Sequence, residues 1–237
     1  MLRVPAATLI RIDMKLATLF AAKPLDRLKL VMAVSVLLLT GCTTASRGTT
    51  ESFRLLLNRD VTGTPESVAL NRFPQAQVKT PDLTALIVLS YIDGETQAWY
   101  AGDRAVFRTN AQGLLMGVSS ENQRIESRVI GISPFSNLTD VSSPVNVRRE
   151  YDWLPSYVFG VILNGTLRPS GVDTVVILGQ PRRLSRFEET LTGEGIRFHN
   201  TYWADPATGF IWKSKQMLAP GYSVELVQLK PYRLTKD

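Results

Sequence analysis

Among the 237 residues there is one cysteine, Cys42, and one histidine, His199. A lone thiol closes no disulfide within the chain, so the fold must stand on packing and hydrogen bonding. The same scarcity excludes cysteine-rich metal sites and histidine clusters, and no metal or other cofactor is expected. No nucleophile, base and orienting acid fall in register, so no catalytic triad is read. Long apolar runs are missing too. Leu30–Leu39 reads LVMAVSVLLL, ten residues without a charge, where a membrane-spanning helix needs about 20. The formal charge of +6 and the pI near 9.6 mislead. Of 27 basic and 21 acidic residues, six and two precede residue 42, which leaves 21 against 19, a net of +2. Nucleic-acid binding, which needs a concentrated basic surface, loses its support.

What is present begins with that apolar run. Lys23, Arg27 and Lys29 flank it on the N-terminal side, and slim residues, Thr40 and Gly41, follow. This is the layout of a secretory signal. Leu39-Thr40-Gly41-Cys42 resembles the bacterial lipobox. The resemblance implies a diacylglycerol thioether on Cys42, cleavage before it and acylation, for example by palmitate, of the new amino group. Several acyl chains hold a protein to a membrane where one barely does. The alternative is a signal anchor with an incidental buried cysteine. Met14 is a second candidate start. The expected organisation is a lipoprotein signal peptide over residues 1–41, a lipidated flexible tether over 42–50 and a β-rich periplasmic domain over 51–237. Thr43 and Thr44 follow the cysteine in place of an aspartate retention signal, which favours the outer membrane in a Gram-negative host.

Glu51–Asp60 (ESFRLLLNRD) has apolar residues at helical spacing and reads as a short helix capped by Thr50 or Ser52. From residue 84 the texture turns to short β-type runs between turn residues. Thr84–Ile92, Glu95–Ala101, Arg104–Thr109 and Leu114–Ser119 form a meander, the first reversal falling at Asp93-Gly94. Arg124–Ile132 alternates as a further strand, and residues 133–147 show no period and read as a loop. Tyr157–Leu167 and Val172–Leu178 are nearly unbroken apolar runs. They predict a pair of strands joined at Pro169–Gly171, either covered on both faces or in the middle of a strongly curved sheet. Arg182–Thr192, Ile196–Ala204, Phe210–Leu218 and Tyr222–Lys230 follow, with glycine or proline at each reversal. The fold class is all-β: about nine strands in an antiparallel barrel or barrel-like sandwich after a short N-terminal helix.

The stretch FHNTYWADPATGFIWKSKQMLAPG, residues 198–221, resembles the closing region of the YjbF/GfcB family, the group 4 capsule polysaccharide lipoproteins. The matching positions are Asn200, Tyr202, Trp203, Asp205, Thr208, Gly209, Trp212, Lys213, Ser214, Lys215, Gln216 and Pro220, with Glu189, Thr190 and Lys230-Pro231 nearby. Lys215 departs from the arginine of the pattern, which weakens a bidentate-contact argument there. The resemblance implies an all-β barrel-like periplasmic domain anchored to the outer membrane. It also implies a role in secreting or assembling exopolysaccharide or capsule, with export proteins or the polysaccharide itself as partners, and it carries over no chemistry.

Seven residues are candidates for contact with glycan or partner: Trp203, Trp212, Tyr202, Asn200, Lys213, Lys215 and Gln216. Flat aromatic faces beside amides and cations suit sugars, whereas aromatics on a hairpin also form cross-strand core pairs. Phe198, Asn200 and Tyr202 face one way on their strand, and His199, Thr201 and Trp203 the other. Lys213 and Lys215 fall on one face with Ile211 and Met217, either a solvated edge or an anionic-polysaccharide contact. Gln216 shares a face with Ser214 and Trp212, as structural glue or ligand contact. Asp205 is expected to cap its own turn, with Gly209 at positive φ. Glu188 and Glu189 are adjacent, so in a strand they oppose each other and cannot work as an acid–base pair on one bond. The leading expectation is a non-enzymatic lipoprotein assisting polysaccharide export. The alternatives are a half-open barrel sheltering an acyl chain or lipid-linked glycan, which needs an apolar cavity of roughly 300 Å³ or more, and a glycan hydrolase.

Overall fold

The computed structural model describes residues 62–232; the expected signal peptide over 1–41, Cys42, the expected tether and the helix expected over Glu51–Asp60 lie outside them. Among the described residues, twelve antiparallel strands close into a barrel, each paired with its sequence neighbours and the last with the first. They are β1 (Gln75–Lys79), β2 (Thr84–Asp93), β3 (Thr96–Ala101), β4 (Ala105–Asn110), β5 (Leu115–Ser120) and β6 (Gln123–Val129). The second half comprises β7 (Val145–Leu154), β8 (Val158–Ile177), β9 (Gln180–Gly193), β10 (Ile196–Ala204), β11 (Ile211–Ala219) and β12 (Tyr222–Lys230). Closure removes the open edges that an all-β sheet otherwise offers to other chains. The all-β antiparallel barrel is as expected, with more strands than the nine.

A six-residue helix, α1 (Pro65–Leu70), precedes the barrel. Its start is a capping box: the Ser67 N–H donates to Thr64 Oγ1 (3.2 Å) and the Thr64 N–H to Ser67 Oγ (2.9 Å). Pro65 at the first position needs no N–H partner, and Val68 is buried beneath the helix.

Two strand assignments change. The strand expected to turn at Pro169–Gly171 runs on: β8 is 20 residues long, and Pro169–Gly171 is a bulge against β9. A bulge tolerates the proline's missing N–H. The reversal falls at Leu178-Gly179, both at positive φ (50° and 74°), the geometry of a tight primed hairpin turn. Leucine is a poor signal for that geometry, since a Cβ disfavours it. Nor are these runs covered on both faces, for Phe159, Val172 and Val176 are exposed. The second change concerns residues 133–147. Two short 3-10 turns (Pro134–Ser136 and Leu138–Asp140) occupy its start, and β7 begins at Val145.

Those 3-10 turns plug one mouth of the barrel. Phe135, Leu138 and Val141 belong to the interior cluster, beside Phe107, Tyr151, Phe198 and Tyr202. The plug seats on the β10–β11 turn, where Gly209 has φ +70° and an added Cβ would lie 2.9 Å from the Leu138 nitrogen. At the same mouth the β8–β9 hairpin outruns its neighbour: Gln180–Leu184 pair with β8 alone, because β10 stops opposite Ser185. Ile177 and Leu184 from this overhang join Phe210 and Trp212 in a second apolar cluster, with Trp203, Val227 and Leu229 packed against it. Trp153, on β7, donates its indole N–H across the interior to the Leu218 carbonyl of β11 at 2.7 Å. The barrel axis is therefore filled with side chains.

Candidate functional site

Inside the barrel, β7 places Arg149 in the phase of Val147, Tyr151 and Trp153, its side chain 1% exposed against a fully buried Glu189 of β9. Arg149 Nε donates to Glu189 Oε1 at 2.8 Å, Nη2 to the Tyr202 hydroxyl at 2.9 Å and Nη1 to Ser127 Oγ at 3.3 Å. Glu189 Oε2 accepts from Tyr202 Oη at 2.6 Å and from Asn200 Nδ2 at 2.7 Å. Asn200 Oδ1 in turn accepts the Met217 N–H at 2.7 Å, and Gln216 donates to Ser214 Oγ at 3.0 Å. The guanidinium also lies 4.8 Å from the Phe135 ring of the plug. Five strands, β6, β7, β9, β10 and β11, are thus tied together through one buried ion pair.

The electrostatics follow from burial. Desolvation opposes the charge on Arg149, yet the adjacent Glu189 carboxylate draws its pKa above the ordinary arginine value. Desolvation pushes Tyr151 up to about 12 and Tyr202 well above the usual phenol range, the nearby Arg149 charge opposing both. Both phenols therefore stay protonated, and Tyr202 is available as a donor to Glu189. A buried pair whose remaining lone pairs and protons are all engaged tolerates low dielectric; a half-broken one does not.

Tyr202, Asn200 and Gln216, three of the expected contact residues, are at most 2% exposed and face this interior. The other four lie on the outer wall. Trp203 donates its indole N–H to Asp173 Oδ2 at 2.8 Å, and Lys213 Nζ sits 5.2 Å from its ring centre while pairing with Glu225 at 3.0 Å. Trp212 packs edge-on against Phe210, and the Arg182 guanidinium covers it at 3.9 Å. Arg182 and Asp173 belong to the β8–β9 overhang, so the two tryptophans are the seat on which that hairpin is clamped. Lys215 is exposed on β11.

One bulge redistributes β11. Trp203 pairs with Lys213 but Ala204 pairs with Ile211, so Ile211 turns into the core while Trp212 joins the outer cluster. Ile211 thus leaves the lysine face and Trp212 leaves the Gln216 face, a shift that simple alternation does not anticipate. Asp205 Oδ1 accepts the N–H groups of Ala207 (2.9 Å) and Thr208 (3.0 Å). Burial opposes its ionisation, but those two bonds hold its pKa below the ordinary aspartate value. Glu188 points outward to Arg168 while Glu189 points inward.

The sequence reading missed Arg149, Ser127 and the Phe135 plug. A signal existed: Val145, Val147, Tyr151 and Trp153 alternate, with Arg149 sitting in their apolar phase. A charge in that phase either breaks a strand or is paired inside it.

A closed up-and-down barrel whose interior is pinned by a buried Arg–Glu–Tyr–Asn network defines the class structurally. The model of the family described as group 4 capsule polysaccharide lipoprotein GfcB, YjbF, matches residues 26–229. The chain belongs to this family. It is 28% identical over 209 residues to the uncharacterized lipoprotein GfcB of Escherichia coli K12, covering 85% of this chain and 98% of that one. The crystal structure of the hypothetical lipoprotein YmcC from E. coli K12 superposes with a TM-score of 0.66 at 25% identity, covering 81% of this chain and all of that chain. The stretch that signals the family is thus divided between the interior network and the clamp under the overhang.

Proposed function

We propose that the chain is a non-enzymatic lipoprotein, anchored through Cys42 to the outer membrane and facing the periplasm, that assists capsule or exopolysaccharide secretion by binding the glycan or a partner protein. The observation that carries this reading is where the functional groups go. The interior carboxylate, guanidinium and phenols are engaged with one another, and the large aromatics of the family stretch are clamped beneath the β8–β9 hairpin. Contact with a macromolecule is left to the outer wall. The carrier alternative loses its motive, since the apolar strands behind it expose Val172 and Val176 and the barrel axis is occupied.

Two experiments test the proposal. Deleting the gene in a polysaccharide-producing strain should lower surface or secreted polysaccharide, and unchanged output would refute the role. Replacing Cys42 with alanine should move the protein out of the membrane fraction and remove the acyl mass from its N-terminal peptide. Unaltered fractionation would refute the anchor.

A further inference from the structure

The outer wall of β7–β10 carries two straight rows of side chains in register. One row runs Asn146, Thr166, Thr190 and His199; the next runs Arg148, Asn164, Thr192 and Arg197. Seven of the eight are exposed and Thr190 is half-buried. None is a carboxylate. Neither Arg148 nor Arg197 forms an ion pair among the described residues. The flanking carboxylates Glu150 and Glu188 are engaged by Arg128 and Arg168, and Glu194 in the β9–β10 turn stands at the rim. Within the patch, Thr190 Oγ1 and His199 Nδ1 lie 3.3 Å apart. An open depression of about 520 Å³ sits over β7 and β8, lined by Ile130, Asn146, Arg148, Asn164 and Thr166. Gly165 between the rows lets β8 lie against β9, because a Cβ there would meet the Thr190 carbonyl at 1.8 Å.

Flat arrays of amides, hydroxyls and guanidinium groups match the vicinal hydroxyls and carboxylates of a sugar chain. Arginines whose flanking carboxylates are held by other cations favour an anionic one, since charge-assisted bonds are the stronger kind. The adjoining wall, β4–β7, differs: there Arg108, Arg124 and Arg128 are each engaged by Glu126, Glu150 or Asp152. We infer that the β7–β10 wall is a binding face for an acidic polysaccharide, uronate-type carboxylates meeting Arg148 and Arg197 and ring hydroxyls meeting Asn146, Asn164 and the threonines. This deepens the glycan arm of the proposed function and rests on it.

The test uses the full-length lipoprotein in detergent, titrated against fluorescein-labelled polygalacturonate with uncharged dextran as the control. Replacing both arginines (Arg148→Ala with Arg197→Ala) should weaken polygalacturonate binding about tenfold or more and leave the unfolding midpoint unchanged. Arg124→Ala, which removes an arginine on β6 outside the rows and leaves Glu126 still paired with Arg108, should leave affinity within about twofold. Added salt should weaken the wild-type complex. Wild-type affinity in the double variant, or dextran binding as tightly as polygalacturonate, overturns the inference. Complementing the deletion strain separates this from the parent proposal. If secretion does not depend on the gene at all, the parent reading fails. If secretion depends on the gene but not on the two arginines, the wall alone is refuted. Secretion lost with polygalacturonate affinity intact would make the face a protein dock and equally refute the glycan.

Discussion

Arg148 and Arg149 are chain neighbours on one strand, and they live in different worlds. Arg149 points inward, meets a carboxylate, a phenol and a hydroxyl, and gives five strands a common anchor. Arg148 points outward beside two asparagines and a threonine and pairs with nothing among the described residues. The pleat alone separates them, since successive side chains of a strand face opposite sides. Charge in a β-barrel is therefore neither structural nor functional by residue type. It becomes structural when the inward phase obliges it to be paired, and available when the outward phase leaves it hydrated.

Breaking the inner side should give the largest effects. Glu189→Leu leaves the Arg149 guanidinium buried without its counter-charge and should cost about 3–5 kcal/mol, read by chemical denaturation. Combining it with Arg149→Met should recover much of that loss, because an apolar pair needs no solvation. Phe135→Ala, which empties the plug, should cost about 3–5 kcal/mol. In whatever fraction remains folded, none of these should alter polygalacturonate affinity; a parallel loss of affinity would blur the division between the two faces.

Alkaline pH probes the same interior more gently. Tyr151 titrates near 12 in the folded chain and near 10 when unfolded. A raised pKa means the folded state keeps its proton longer. The stability present below about pH 10 is then lost as pH climbs toward 12, by about 2–3 kcal/mol. Thermal unfolding between pH 8 and pH 12 should show this decline, and Tyr151→Phe should make it shallower while leaving the part that buried Tyr202 supplies. At the acid end the sign reverses. Asp205 is held below its ordinary pKa by two backbone N–H groups, so its contribution is complete above about pH 4 and fades below. Asp205→Ala should cost about 1 kcal/mol at neutral pH, comparable to loss of a helix cap, and the gap should narrow on acidification.

The outer elements with clear punctuation were the ones the sequence disclosed. Ile196–Ala204 and Tyr222–Lys230 match β10 and β12 because glycines at 195 and 221 mark their starts and adopt positive φ. In sequence β8 reads as two strands because Pro169–Gly171 looks like a reversal when viewed alone, while the true one carries an unhelpful leucine. β7 went unread because Arg149 interrupts its apolar phase, and what excuses the interruption, Glu189, lies 40 residues away. The family stretch was legible as a motif, but its division between interior and outer wall was not. One part of that division, the exit of Trp212 from the Gln216 face, depends on the bulge opposite Trp203, a three-dimensional feature with no local signature. Sequence spacing could place Asn200 and Tyr202 on one face; only barrel closure shows that this face looks inward.

Arg149 is the hinge between the two faces, and the decisive measurement is the unfolding midpoint of Arg149→Met against wild type in the full-length lipoprotein. With Glu189 left charged, buried and unpaired, the midpoint should drop by roughly 10 °C or more. A midpoint within a degree or two of wild type would contradict the claim that this buried pair holds the barrel together.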